Sequence, residues 1–351
     1  MSDFTSEKKR EIIDFLIENK IIKQDTDFEL DKIKFKGNLE GDFIYTNQSN
    51  NNEKLFIKIT EEIGEIELIY SLNEFLTERN LSAIPIKNKA GPLLYKEKEY
   101  IVYTRPFYEG KVYNNSEEDF LCLINTLNKI HISLKDFPEK DKIKEKSIKY
   151  NEKLRKIRDL LKQENSFESF KPYKEWLLDK KNEEFLKNIT TREDIFEIID
   201  CKNAQCLHGD LHSGNVIFGV DGKNAFLFDF NESYKAFAPV EYDLYYVLER
   251  FCLNNTSQEK TNKVHNRINA IKERYEAYDI SLTKLLNMGE VIAMRLVLIV
   301  LDNYLNKNLT VNTEELDKFL NNFNNIKKYK DILIESEWEK EKWKNYQQMK
   351  K

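Results

Sequence analysis

The sequence predicts an α+β chain, with a small antiparallel β-rich unit followed by a larger, mainly helical one. Three observations carry this expectation. Between residues 32 and 59, apolar and polar residues alternate with a period of two. Beyond about residue 110, apolar residues recur three and four apart. Ten glycines and six prolines are few for 351 residues, which favours helices over loop-rich folds. A chain of this length carries about two structural units, and the change of period places them at 1–107 and 108–351.

The elements follow in order. Thr5 caps a helix running to about Asn19, with Ile12, Ile13, Phe15 and Leu16 as its apolar stripe. Lys32 to Lys36, Asp42 to Tyr45 and Lys54 to Ile59 are three strands of an antiparallel meander, broken at Gly37 and Gly41 and by the polar run Asn47 to Asn52. Glu61 to Arg79 is a helix. Leu81–Ile86, Leu93–Tyr95 and Tyr100–Tyr103 are short strands, and the first unit closes near Arg105-Pro106-Phe107. Ser116 and Asp119 form a capping box for a helix bearing Phe120, Leu123, Ile124, Leu127 and Ile130. A lysine-rich helix carries Tyr150, Leu154, Ile157 and Leu161, and its charged face is solvated surface. Further helices are expected at about 167–188, 192–200, 240–253, 257–277, 281–306 and 313–326. One hairpin, 215–218 with 225–228, interrupts them.

Composition narrows the function classes. Lys+Arg 56 against Asp+Glu 61 leaves a net charge of −5, which argues against a chain-wide nucleic-acid binder. The first residues have no apolar signal core. Arg295 interrupts the longest apolar run, Val291 to Leu301, which is far short of the about 20 residues a membrane span needs. Cys122, Cys201, Cys206 and Cys252 form no CxxC and no zinc spacing, so free thiols in a reducing cytoplasm are expected.

The chemistry concentrates in His208-Gly209-Asp210-Leu211-His212-Ser213-Gly214-Asn215. His208 and His212 at i and i+4 would share a metal only on a helix, and the two glycines oppose one. The better reading is a phosphoryl-transfer loop. Asp210 precedes Asn215 by five positions, as in the Asp-x4-Asn of a kinase catalytic loop. A hairpin then leads to Phe228-Asp229-Phe230. The chemistry needs one carboxylate for the proton of an attacking hydroxyl. It also needs an amide oxygen and a second carboxylate for Mg²⁺ ions that bridge nucleotide phosphates. Four fixed letters at that spacing arise by chance in a chain this long on the order of two times in a thousand.

With Tyr242-Asp243-Leu244, this stretch resembles the aminoglycoside phosphotransferase, choline kinase and homoserine kinase superfamily, a branch of the protein-kinase-like fold. The resemblance covers about 30–300 in element order and is letter-by-letter over about 206–245. It implies a bilobal fold, with a nucleotide-binding lobe at 1–107. The helical lobe at 108–351 would hold the catalytic loop 206–218 and the metal-binding segment 226–231. It implies Asp210 as catalytic base, Asn215 and Asp229 as magnesium ligands, and Asp243 as the brace of the catalytic loop. His208 and His131 read as scaffold hydrogen-bonders. Lys58 on the third strand is the expected nucleotide lysine, with Glu67 rather than Glu65 as its partner, and the adenine should meet backbone near Arg105 and Phe107. The first hairpin, Gly37 to Gly41, is poorer in glycine than a phosphate-covering loop.

The implied cofactors are Mg²⁺ and ATP or GTP, and the implied acceptor is the hydroxyl of a small molecule, amine-bearing by preference. Glu232, Glu241 and Glu109 are candidate acids for such an amine, and Trp176, Trp338 and Trp343 candidate walls. Neither nucleic acid nor membrane is expected as a partner. Only fourteen positions separate Asp229 from Asp243, too few for the activation loop of a protein-substrate kinase. The rival reading is a non-catalytic relative such as a spore-coat protein.

Overall fold

A computed structural model of the chain describes residues 5–23, 28–37, 39–48, 53–61, 66–79, 81, 88–219, 224–253, 258–307 and 309–331. The period-two stretch becomes a five-stranded antiparallel sheet: β1 (Phe28–Gly37), β2 (Glu40–Asn47), β3 (Glu53–Thr60), β4 (Asn88–Tyr95) and β5 (Lys98–Pro106), in the order β1-β2-β3-β5-β4. Alternation sorts the two faces. Phe43 and Tyr45 of β2 and Ile57 and Ile59 of β3 are buried, while Asp42, Phe56 and Lys58 sit between them on the other face. Helix α1 (Ser6–Glu18) closes the buried face. Thr5 Oγ1 accepts the Lys8 N–H at 3.2 Å, and Ile12, Phe15 and Leu16 pack with Leu30, Phe43, Ile57, Tyr100 and Val102. Each such apolar side chain contributes about 1.5–3 kcal/mol on burial, so α1 is held by packing, not by its propensity alone. Helix α2 (Ile66–Glu78) lies between β3 and β4 in the chain.

The chain divides into two compact units. One takes 1–130 together with 214–231; the other takes 131–213 and 232–351. Helix α3 (Glu117–Leu134) begins with half of the expected capping box: the Asp119 N–H lies on Ser116 Oγ at 3.0 Å, but the Ser116 N–H goes to Asn114 Oδ1 at 2.9 Å, not to Asp119.

The second unit is built on α4 (Lys140–Leu161), α10 (Leu282–Lys307) and α11 (Thr313–Tyr329). Its core joins Leu154 and Ile157 to Met294, Leu298 and Leu301 and to Leu320 and Phe323. Arg295, the charge inside the apolar run, is buried there. Its Nη1 donates to Asn151 Oδ1 at 2.6 Å and to the Ile195 carbonyl at 2.7 Å.

Several expected elements differ. The helix expected over 167–188 is broken into a 3₁₀ stretch (Glu164–Tyr173) with Pro172 inside it, α5 (Lys174–Leu178) and α6 (Glu183–Thr191). Asp179 stops α5 in an extended conformation and its carboxylate accepts the Lys181 N–H at 3.0 Å. The helix expected over 192–200 is one turn, α7 (Asp194–Glu197). Two two-residue strands, β6 (Gln205–Cys206) and β9 (Phe237–Ala238), pair although neither carries a sequence period. The hairpin strands are β7 (Val216–Phe218) and β8 (Ala225–Leu227), paired Val216 with Leu227. The helix expected over 240–253 is α8 (Glu241–Val247) followed by a π turn, Leu248–Cys252. Helix α9 (Gln258–Arg274) follows. The strand expected at 81–86, the turns at 49–52 and 220–223, and Glu65, Trp338 and Trp343 lie wholly or mostly outside the described residues.

Candidate active site

In the first unit, β3 presents Lys58 on the face opposite the core. Its Nζ lies 3.3 Å from Asp229 Oδ1. Burial works against the Lys58 charge, but Tyr103, Asp229 and Asp42 outweigh it, and the ammonium is held above the ordinary lysine value. Asp42 and Tyr103 reach Lys58 because they are its cross-strand neighbours on β2 and β5. Asp229 sits just beyond β8 at φ +63°, a left-handed conformation uncommon outside glycine. Asn215, just before β7, is buried, and its carbonyl accepts the Phe228 N–H at 3.2 Å. One short ladder thus fixes both Asn215 and Asp229 at the same end.

Asn215 and Asp229 line a cavity of about 220 Å³ with Asp42, Phe56, Arg105 and Phe107. The Arg105 guanidinium lies between two rings, 4.0 Å from the centre of Phe56 and 4.5 Å from that of Phe228. Burial draws its pKa down, against the pull of Tyr103, Asp229 and Asp42. The side chain of Arg105 therefore carries weight of its own, where sequence reasoning gave the position only a backbone role. Glu67 is exposed in the first turn of α2. Glu109 is exposed and pairs with Lys54 at 2.8 Å.

In the second unit, the segment that begins at His208 hangs from Asp243 at the start of α8. Asp243 is fully buried; its Oδ2 accepts the His208 N–H and its Oδ1 the Gly209 N–H, each at 2.9 Å. Oδ2 also meets His131 Nε2 at 2.9 Å, and His131 Nδ1 meets the Tyr275 hydroxyl at 2.9 Å. A proton on Nε2 and an acceptor at Nδ1 satisfy both bonds. Burial alone would raise the Asp243 pKa. The His131 bond, the nearby imidazoles and the Gly209 N–H reverse that and hold it below the ordinary aspartate value. Gly209 has φ +85°, and a Cβ there would fall 2.7 Å from Ala236 Cβ, so the turn requires glycine. The Ser233 hydroxyl donates to the His208 carbonyl at 3.1 Å. The loop so held leaves Asp210 half-exposed, its N–H 3.3 Å from His208 Nδ1 and its carboxylate 3.7 Å from His212 Nε2. His208 is fully buried and bonded through both its backbone and its ring.

Glu232 forms an ion pair with Lys235 at 3.1 Å. Glu241 lines a different cavity of the second unit, of about 260 Å³, with Glu197, Cys201, Lys284 and Met288, and burial raises its pKa. Trp176 is a core residue, with its indole N–H on Asp317 at 3.0 Å. Asp42, Tyr103, Phe56, Ser233 and Tyr275 carry no signal in the sequence that marks them as site residues. Asp42 alone was within reach, through the register of β2 against β3 across the polar turn.

Residues 102–278, just over half of the chain, match the model of the APH phosphotransferase enzyme family. The chain belongs to that family. The match takes in Asp210, Asn215, Asp229 and Asp243. No curated protein of established function matches the sequence. Several solved structures share its fold. An AMP-bound spectinomycin phosphotransferase is 17% identical and covers 90% of this chain and 94% of its own, with a TM-score of 0.56. A GDP complex of an aminoglycoside 2'-phosphotransferase is 12% identical, covers 92% and 98%, and has a TM-score of 0.53. An ethanolamine kinase of Plasmodium vivax is 12% identical, covers 92% and 89%, and has a TM-score of 0.52. At these identities the likeness is one of fold: a five-stranded antiparallel sheet followed by a mainly helical region, the kinase-like architecture. Among the described residues no helix is long and apolar enough to cross a membrane.

Proposed function

We propose that this family member transfers the γ-phosphoryl group of ATP or GTP to a hydroxyl of a small molecule, with an amine-bearing acceptor as the favoured class. The observation that carries the reading is the Lys58–Asp229 pair, whose aspartate lines one cavity with Asn215. Residues 1–107 act as the nucleotide-binding lobe and 108–351 as the lobe that carries the catalytic loop. Lys58 is a compact cation for the phosphates, and Arg105 and Phe107 form the wall against the base.

Mg²⁺ fits the donor set. The ion takes hard oxygen ligands and in phosphoryl transfer is held by one or two side-chain oxygens plus phosphates, not by an all-protein cage. Asn215 offers an amide oxygen and Asp229 a carboxylate, while among the described residues no group of three His, Cys, Asp or Glu could hold a metal. Bound there, the ion would neutralise charge on the phosphates. Asp210 orients the acceptor hydroxyl and accepts its proton. The bond from the acceptor oxygen to phosphorus forms as the bond to the leaving diphosphate breaks. Asp243 holds the backbone of the loop, and Gly209 gives it the turn that leaves the Asp210 carboxylate half-exposed. An amine-bearing acceptor draws support from the relatives' names, since aminoglycosides and ethanolamine are amino alcohols.

Isothermal titration with Mg-ATP and Mg-GTP tests the reading. Wild type should bind one of them, Asp229→Ala should lose magnesium-dependent binding, and Asp210→Asn should bind nucleotide yet turn over no acceptor. Absence of binding to either nucleotide would sink the proposal and leave the non-catalytic relative standing.

A further inference from the structure

A second cavity lies wholly within the second unit, with a volume of about 410 Å³. Its walls are the end of α3, the first turns of α4, the segment 202–206, Phe237 and Tyr278. It is strongly basic. Lys135, Lys140, Lys144 and Lys202 line it, against a single carboxylate, Asp141. Among the described residues none of these four lysines forms an ion pair. Lys140 donates to the Lys135 carbonyl at 2.8 Å, while Lys135 and Lys144 lie over the rings of Tyr278 and Phe237 at 4.2 and 5.7 Å. On the same helix Lys142 and Lys149 do pair, with Glu139 and Glu145. In a chain with more acids than bases, unpaired lysines gathered on one cavity are not the product of composition.

Two further observations point to a ligand. Gln205 Oε1 and the Tyr278 hydroxyl are buried polar atoms with no hydrogen-bond partner, and both residues line this cavity. Gln205 is 5% exposed and Tyr278 7%, so the orphans are not simply facing solvent. The Gln205 amide nitrogen is already committed to the His131 carbonyl at 2.7 Å, which leaves its oxygen as an acceptor that needs a donor. A buried polar group without a partner is costly. The requirement is thus double: anionic oxygens for the lysines, and a hydroxyl for Gln205. We propose that this cavity binds a small hydroxylated phosphate ester, at a site in a different unit from the Lys58–Asp229 pair.

The test is titration of the full chain, without magnesium and at low salt, with glycerol 3-phosphate and glucose 6-phosphate, using inorganic phosphate and glycerol as controls. At least one ester should bind more tightly than phosphate, and glycerol should not bind. Replacing both Lys144 and Lys202 by Gln should weaken the ester by about tenfold or more, as loss of charge-assisted bonds does. Tyr278→Phe should weaken it several-fold without lowering the melting temperature of the free protein, because it deletes an unpartnered hydroxyl. Asp229→Ala should bind the ester as wild type does. The inference is overturned if neither ester binds. It is overturned equally if the ester binds no better than phosphate, or if the double lysine variant binds as well as wild type.

Discussion

Replacing Asp243 by Asn tests the brace that holds the backbone at His208 and Gly209. The buried carboxylate accepts three bonds at 2.9 Å, from the His208 N–H, the Gly209 N–H and His131 Nε2. Asparagine keeps the shape but has one acceptor oxygen. With that oxygen placed where Oδ2 was, the His208 and His131 bonds survive in weaker, neutral form. The new NH₂ then points at the Gly209 N–H, and two donors face each other. One unsatisfied buried group costs about 1–3 kcal/mol, and lost charge assistance a comparable amount, about 3–5 kcal/mol together. At roughly 2.1 cal/mol/K of unfolding entropy per residue, each kcal/mol moves the melting temperature of such a chain by about 1.4 °C. The expected fall is therefore about 4–7 °C at pH 7, read by calorimetry. The pH dependence is a second, independent readout. The folded pKa of Asp243 is lowered, so its contribution is fully present above the unfolded value near 3.8 and fades as pH falls through the folded value. The gap between wild type and Asp243→Asn should stay flat from pH 8 to 5 and close only below about 4. An unchanged melting temperature at pH 7, or a gap that closes above pH 5, would refute the reasoning.

Two other outcomes are expected. Gly289→Ala would drive a Cβ into the Tyr245 ring, where α10 crosses α8. It should cost about 1–3 kcal/mol as overpacking does, and a double-mutant cycle with Tyr245→Leu should show strong coupling in urea unfolding. Ser116→Ala removes the hydroxyl that accepts the Asp119 N–H and should cost about 1 kcal/mol, whereas Ser116→Asp should cost less, by the same measurement.

What was legible in the sequence was local. The loop from His208 to Asn215 stood out because its chemistry is written in adjacent side chains. Lys58 was singled out because the family resemblance expects a nucleotide lysine on the third strand, and the period-two pattern marks that strand. The cap at Ser116 lies within four residues. What escaped depends on contacts between distant segments. Arg105 between Phe56 and Phe228, and His131 between Asp243 and Tyr275, join residues far apart in the chain. The strands β6 and β9 are two residues each, too short for any period. The break after Leu178 was written in Pro172 and Asp179, but the apolar spacing on either side masked it.

The unit that contains Lys58 is closed by residues 214–231, more than eighty positions beyond Ile130. No single cut in the gene yields that unit whole. A fragment ending at Ile130 would keep the lysine and lose both Asn215 and Asp229, along with β7 and β8. Exchange of this unit between relatives by one recombination event is therefore barred, because a donor's first 130 residues would have to accept a host's 214–231. Natural or engineered chimaeras that swap acceptor specificity should keep those two segments from one parent and exchange sequence only outside them.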